Sequence, residues 1–208
     1  MPDIKVCGLT CQEDIQLVNE FPIDYAGFVL YFPKSKRNIT LEQAQQLKAG
    51  LKASIKTVAV TVSPTLSQAN AIQEAGFDVI QIHGTLQDEV EANLHIPIFR
   101  AVNVEAEEDI ETVSKGISCK IAYLVLDGKK PGSGEAFDWG WIKKHVDNTS
   151  RIMLAGGLNY ENVKEAISIV QPGIVDVSSG VEKDEGRGKD KEKLSRFVNA
   201  VLESNCEL

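Results

Sequence analysis

The chain has 208 residues, 43% of them hydrophobic and 25% charged, with a net charge of −8 at pH 7. This length supports one domain with a substantial core, spanning 1–208, and the ordinary composition excludes disordered and fibrous classes. An acidic balance without a long basic stretch excludes a wide polyanion-binding surface, so no nucleic acid is expected as partner. A small phosphorylated metabolite is still compatible, because backbone amides and helix starts can hold a phosphate.

The first residues, Met1-Pro2-Asp3-Ile4-Lys5, enter a strand-like run at once, without a basic segment and long apolar core of the signal-peptide kind. A cytoplasmic location is therefore expected. No run of eighteen apolar residues occurs, so no membrane partner is expected. Strand-like runs rich in Val and Ile then recur at 3–7, 24–30, 55–62, 78–82, 97–102, 119–126, 151–155 and 174–178. Between them, Leu41–Leu51, Leu66–Ala75, Ala106–Lys115 and Asn159–Ile169 place apolar residues at three- and four-residue steps, and Asp190–Glu203 supplies the last helix. Eight strand–helix units in a chain of this length predict an α/β fold, a single-domain (β/α)8 TIM barrel of eight parallel strands. An open doubly wound sheet would carry its Gly-rich turn after the first strand, whereas the glycines here gather after the sixth, seventh and eighth. Cys7, Cys11, Cys119 and Cys206 lack metal-type spacing and read as thiols, and three scattered histidines offer no metal site.

The irregular stretches Tyr31–Asn38, Asp127–Phe137 and Glu182–Lys189 all follow strands, at the rim where barrels of this kind build their sites. Gly156 and Gly157 follow the seventh strand, and Ser178, Ser179 and Gly180 follow the eighth. Either group alone could be a turn or a helix cap; two on adjacent late strands form a candidate phosphate cradle. Gly132, Ser133 and Gly134 read as a flap over the ligand or as an ordinary loop. Cys7 and Asp127 close the first and sixth strand runs, which would bring a thiol and a carboxyl to one rim. Each alone is more often a small buried hydrophobe or a capping charge than a reactive group.

Motifs along nearly the whole chain change that balance: Lys5-Val6-Cys7-Gly8-Leu9-Thr10, Ser35-Lys36-Arg37, Ile80-Gln81-Ile82-His83-Gly84, Leu126-Asp127, Phe137-Asp138-Trp139, Ala155-Gly156-Gly157-Leu158 and Asp176-Val177-Ser178-Ser179-Gly180-Val181-Glu182. In this order the chain resembles the phosphoribosylanthranilate isomerase family of tryptophan biosynthesis. The resemblance implies an Amadori rearrangement of N-(5'-phosphoribosyl)anthranilate, with no cofactor and no metal. It makes Asp127 the general acid and Cys7 the general base. Asp127 must then hold its proton near neutral pH and Cys7 must act as thiolate. Arg37 offers a planar fork for the anthranilate carboxylate. Gln81 and His83 would line the pocket, and Asp176 would bind a sugar hydroxyl or orient the acid. Phe137 and Trp139 read as packing anchors.

Three departures affect the pocket wall and flap: Lys36 stands where the family often has proline, Val60-Thr61-Val62-Ser63 replaces a Val-Phe-Val-Asn run, and Pro131 opens the flap in place of glycine. Two rival readings are another phosphosugar isomerase or epimerase barrel and a non-catalytic phosphate-binding barrel subunit. The first lacks a histidine set for metal, and the second needs neither an acid nor a base. The helices present no extended hydrophobic face, which points to a monomer with a homodimer as the alternative.

Overall fold

The computed structural model describes residues 1–114, 118–128, 137–185 and 187–204. Eight parallel strands form the barrel: β1 Asp3–Cys7, β2 Tyr25–Leu30, β3 Lys56–Val62, β4 Val79–His83, β5 Ile98–Val104, β6 Ile121–Gly128, β7 Ile152–Leu154 and β8 Ile174–Val177. Each pairs with its neighbours in chain order, and β8 closes on β1 with Lys5 opposite Asp176. A two-residue strand, Asn38–Ile39, adds to the end of β2.

The helices are α1 Gln12–Asn19, α2 Leu41–Lys48, α3 Leu66–Glu74, α4 Asp88–Asn93, α5 Glu107–Ser114, α6 Gly140–His145, α7 Val163–Val170 and α8 Lys191–Glu203. The starts of α2 and α3 follow from Thr40 and Thr65, whose hydroxyls accept from the Gln43 and Gln68 amides in capping boxes. Asp190 caps α8 by accepting from the Lys193 amide at 2.9 Å. The expected helix from Asn159 begins later, at Val163, because local side-chain bonds win over helix there. The Asn159 Oδ1 accepts from the Glu161 amide at 2.8 Å, and the Asn162 Oδ1 accepts from the Asn159 amide at 2.9 Å.

Two apolar cores result from strands buried on both faces. The larger lies between barrel and helices, around Val6, Phe28, Ile82, Leu126 and Phe197. The smaller fills the barrel's inside with Tyr25, Val58, Phe99, Val125, Met153 and Ile174, and Cys7 belongs to it. The sixth strand runs further than the apolar pattern predicts. Asp127 and Gly128 continue the ladder opposite Asn103 and Val104, so the candidate acid stands on regular strand rather than beyond it. Trp139 is buried in the outer core with Phe137 packed against it, as anchoring residues would be.

Candidate active site

At the C-terminal end of the strands, a cavity of about 400 Å³ is lined by Cys7, Arg37, Gln81, His83, Asp127, Gly156, Gly157, Asp176, Ser178 and Ser179, with apolar walls from Val29, Phe32, Val60, Val62, Ala155 and Leu158. Residues from β1, β4, β6 and β8 and from the loops after β2, β7 and β8 thus meet in one space. Gly180 stands behind the wall, packed on the Leu158 carbonyl so closely that any side chain would collide with it. Gly132, Ser133 and Gly134 lie outside the described residues, as does Cys206, while Cys7, Cys11 and Cys119 are free thiols.

Glycine makes room for both Cys7 and Asp127. A β-carbon at Gly27, opposite Cys7 in the ladder, would come within 2.9 Å of the Cys7 sulfur. One at Gly156 would lie 2.7 Å from the Asp127 Oδ1, and Gly156 has a φ of 78°, where a side chain is strained. The loops after β7 and β8 are held from behind. The Ser178 hydroxyl donates to the Cys7 carbonyl at 3.0 Å, and the Asn162 amide donates to the Gly157 carbonyl at 2.9 Å.

Three further residues were not singled out from the pattern. Lys5, fully buried inside the barrel one layer beneath Cys7, pairs with Asp176 at 2.9 Å. Lys189, also buried, donates to the Ser178 carbonyl at 3.1 Å and reaches Glu182 at 3.4 Å. Its backbone amide is fixed by the Asp14 Oδ1 at 2.7 Å. Glu182 gathers Arg37, whose Nε lies 2.5 Å away, and the exposed Lys36 at 2.8 Å. Burial works against the Glu182 charge, but the hydrogen bonds from Arg37 and Lys36 pull its carboxyl down to about 2.

Burial acts on both candidate proton-transfer groups, with different charges beside each. Burial, helped by the Asp176 charge, pushes the Asp127 carboxyl up to about 6. Burial also raises the Cys7 thiol above its ordinary range, against the opposing pull of Lys5 and Lys189. The shift of Asp127 is in the direction a general acid needs, whereas that of Cys7 runs against a thiolate. Burial, with Lys5 and Arg100 nearby, brings His83 down to about 4, so a neutral imidazole faces Gln81 at 2.9 Å. Among the described residues six buried side-chain atoms lack a hydrogen-bond partner. Four of them, Arg37 Nη2, Gln81 Oε1, Asp127 Oδ1 and Asp176 Oδ1, belong to the cavity wall. Unpaired buried polar atoms are rare in folded proteins, and their convergence here is what a polar ligand would satisfy.

Fold and cavity together place a polar pocket at the C-terminal rim of a (β/α)8 barrel, where enzymes of this architecture carry their sites. Residues 4–200 match the family model for N-(5'-phosphoribosyl)anthranilate (PRA) isomerase. The chain belongs to the N-(5'-phosphoribosyl)anthranilate isomerase family. It is 43% identical over 203 residues to the N-(5'-phosphoribosyl)anthranilate isomerase of Clostridium kluyveri, covering 97% of this chain and 98% of that one. The Streptococcus mutans enzyme of the same name is 39% identical over 202 residues, with 97% and 99% covered. Among solved structures, phosphoribosyl anthranilate isomerase from Thermotoga maritima superposes with a TM-score of 0.86 at 32% identity, covering 98% of this chain and all of that one. A phosphoribosyl anthranilate isomerase in complex with reduced 1-(o-carboxyphenylamino)-1-deoxyribulose 5-phosphate superposes with a TM-score of 0.83 at 31% identity, with 98% and 100% covered.

Proposed function

We infer that the chain isomerises N-(5'-phosphoribosyl)anthranilate to 1-(2-carboxyphenylamino)-1-deoxy-D-ribulose 5-phosphate, a step of tryptophan biosynthesis. The observation that carries the residue assignments is the cavity in which an elevated carboxyl, a thiol and unpaired polar atoms converge. In this reading Gly156, Gly157, Ser178 and Ser179 hold the phosphate with Gly180 packing the loop behind them, and Arg37 offers its unpaired Nη2 to the anthranilate carboxylate while Glu182 fixes the other edge of the guanidinium. The sugar is thereby stretched between two anion sites, with its reacting carbons over Cys7 and Asp127.

Asp127 gives its proton to the furanose ring oxygen, the C1'–O bond breaks, and the nitrogen lone pair forms the iminium. That charge acidifies the C2' proton, which the Cys7 thiolate removes, and the resulting enolamine tautomerises to the ketone. One proton has then passed from Asp127 to the substrate and one from the substrate to Cys7, so the pair must exchange a proton before the next turnover. Gln81, His83 and Asp176 provide polar contacts to the sugar. The neutral His83 adds no positive charge that would lower Asp127.

We take residues 1–208 as one domain, a monomer acting in the cytoplasm. Among the described residues Met1 and Leu202 are the large apolar side chains left exposed, and no helix is long and apolar enough to cross a membrane. The test is direct: purified protein supplied with freshly made phosphoribosylanthranilate is expected to yield the ketose isomer, followed by chromatography. Absence of product with a folded protein would favour a binding role for the barrel instead.

A further inference from the structure

A lysine ammonium inside a barrel is expensive to desolvate, and replacing buried ion pairs by apolar side chains often leaves stability unchanged or improved. Lys5 is 0% exposed, and its Nζ lies 2.9 Å from Asp176 Oδ2, directly across the β1–β8 ladder. Two residues along β1, on the same face, stands Cys7, with which the Lys5 ammonium also interacts. The other oxygen of Asp176, Oδ1, is buried without a partner, and Asp127, in the wall of the same cavity, has an unpaired buried oxygen of its own.

We propose that Lys5 is a positioning residue for proton transfer: with Asp176 it forms a buried, oriented ion pair whose positive end lies against Cys7 and whose negative end lies against Asp127. The pair draws the proton shared by the two reactive groups off the sulfur and onto the carboxyl. This proposal rests on the acid and base roles given above.

The charged groups that face each partner agree with that orientation. Cys7 feels Lys5 from β1, Asp176 from β8 and Lys189 from the loop after β8; after burial, Lys5 is the strongest of these and favours the thiolate. Asp127 feels Asp176, Lys5 and Arg37; after burial, Asp176 is the strongest and favours the protonated acid. Burial opposes the Lys5 charge, yet Asp176 and Cys7 outweigh it and the ammonium is held more firmly than a free lysine's. Turnover in this reading needs one proton on Asp127 and none on Cys7. The fraction with that proton on Asp127 sets the rate, and each pKa unit by which the pair's pull is weakened lowers that fraction about tenfold.

The experiment compares parent, Lys5→Met and Lys5→Arg by the pH dependence of Cys7 alkylation with iodoacetamide, read on the Cys7 peptide by mass spectrometry, alongside kcat and KM. The alkylation arm does not depend on isomerase activity. In Lys5→Met, Cys7 alkylation near neutral pH is expected to slow about tenfold or more. Its kcat should fall by at least as much while KM stays within about threefold, and Lys5→Arg should recover part of both. Superimposable alkylation curves in parent and Lys5→Met would overturn the proposal even if activity fell. A parent protein that does not isomerise the substrate would refute the functional reading, and the alkylation curves would still decide the role of Lys5. Should Lys5→Met fail to fold by circular dichroism, the Lys5→Met/Asp176→Asn variant, which leaves no lone charge in the core, carries the comparison. It should show slower Cys7 alkylation and a lowered Asp127 titration, and no change in either would overturn the proposal.

Discussion

The two ends of the barrel interior are filled with opposite kinds of chemistry. Near the N-terminal end Tyr25, Phe99 and Tyr123 stack edge to face, with ring centroids 5.6 and 5.3 Å apart, among Val58, Val125 and Ile174. Polar groups around that end are paired: the Asp24 carboxylate accepts from the Ile4 amide at 2.8 Å, and the Asp78 carboxylate accepts from both the amide and the hydroxyl of Thr57 at 2.7 Å. At the C-terminal end the interior holds Lys5, Gln81, Asp127 and Asp176, and three of those four keep an unpaired buried oxygen. One end is built to stay folded, and the other carries unmet polar demand that a substrate would satisfy.

The largest expected effect lies at the polar end. Cys7→Ala and Asp127→Asn should each lower kcat by roughly 10²–10⁴-fold in steady-state assays, with circular dichroism unchanged. The apolar end should respond in stability instead. Phe99→Ala should cost about 3–5 kcal/mol in urea unfolding while the folded fraction keeps its kcat. If Phe99→Ala abolished turnover in a folded protein, the division between the two ends would fail.

A third prediction joins them. Because the folded-state pKa of Asp127 is raised to about 6, the stability associated with its protonated form is present below the unfolded value and lost as pH rises through about 6. Asp127→Asn, neutral throughout, should therefore be more stable than the parent above pH 6 by roughly 2–3 kcal/mol, with the gap closing towards pH 4. Equal stability of the two proteins across this range, measured by urea titration at several pH values, would show that Asp127 ionises without penalty. Smaller still is the effect of Arg37→Lys. Loss of the planar fork should raise KM about tenfold with a lesser change in kcat, as one charge-assisted hydrogen bond would.

The barrel was readable because its signal is periodic: short β-branched runs alternate with helical spacing, and the eight runs correspond to the eight strands in order. Cys7 and Asp127 stood out as candidates for a related reason, being polar residues at the ends of apolar runs, while Asp176 entered only through the family resemblance. Lys5 carries a signal of its own: in Ile4-Lys5-Val6-Cys7 it shares parity with Cys7, so a thiol facing the barrel interior places the lysine there too. The pairing of Lys5 with Asp176 spans 171 residues and exists only after β1 meets β8, which no local pattern conveys. Lys189 and Glu182 lie in a stretch recognisable as irregular, but their grip on Ser178 and Arg37 depends on how that loop folds back over the rim. The later start of α7 was hidden because Asn159 and Asn162 fit a helical spacing while bonding to each other.

If the C-terminal end of the barrel keeps a carboxyl protonated well above its ordinary range, Asp127 is where it must show. Carbon-13 NMR titration of the Asp127 carboxyl in the unliganded protein, assigned by its loss in Asp127→Asn, tests this without any substrate. A midpoint near 6 is the predicted result, and a midpoint near the ordinary aspartate value of about 3.9 would contradict the account.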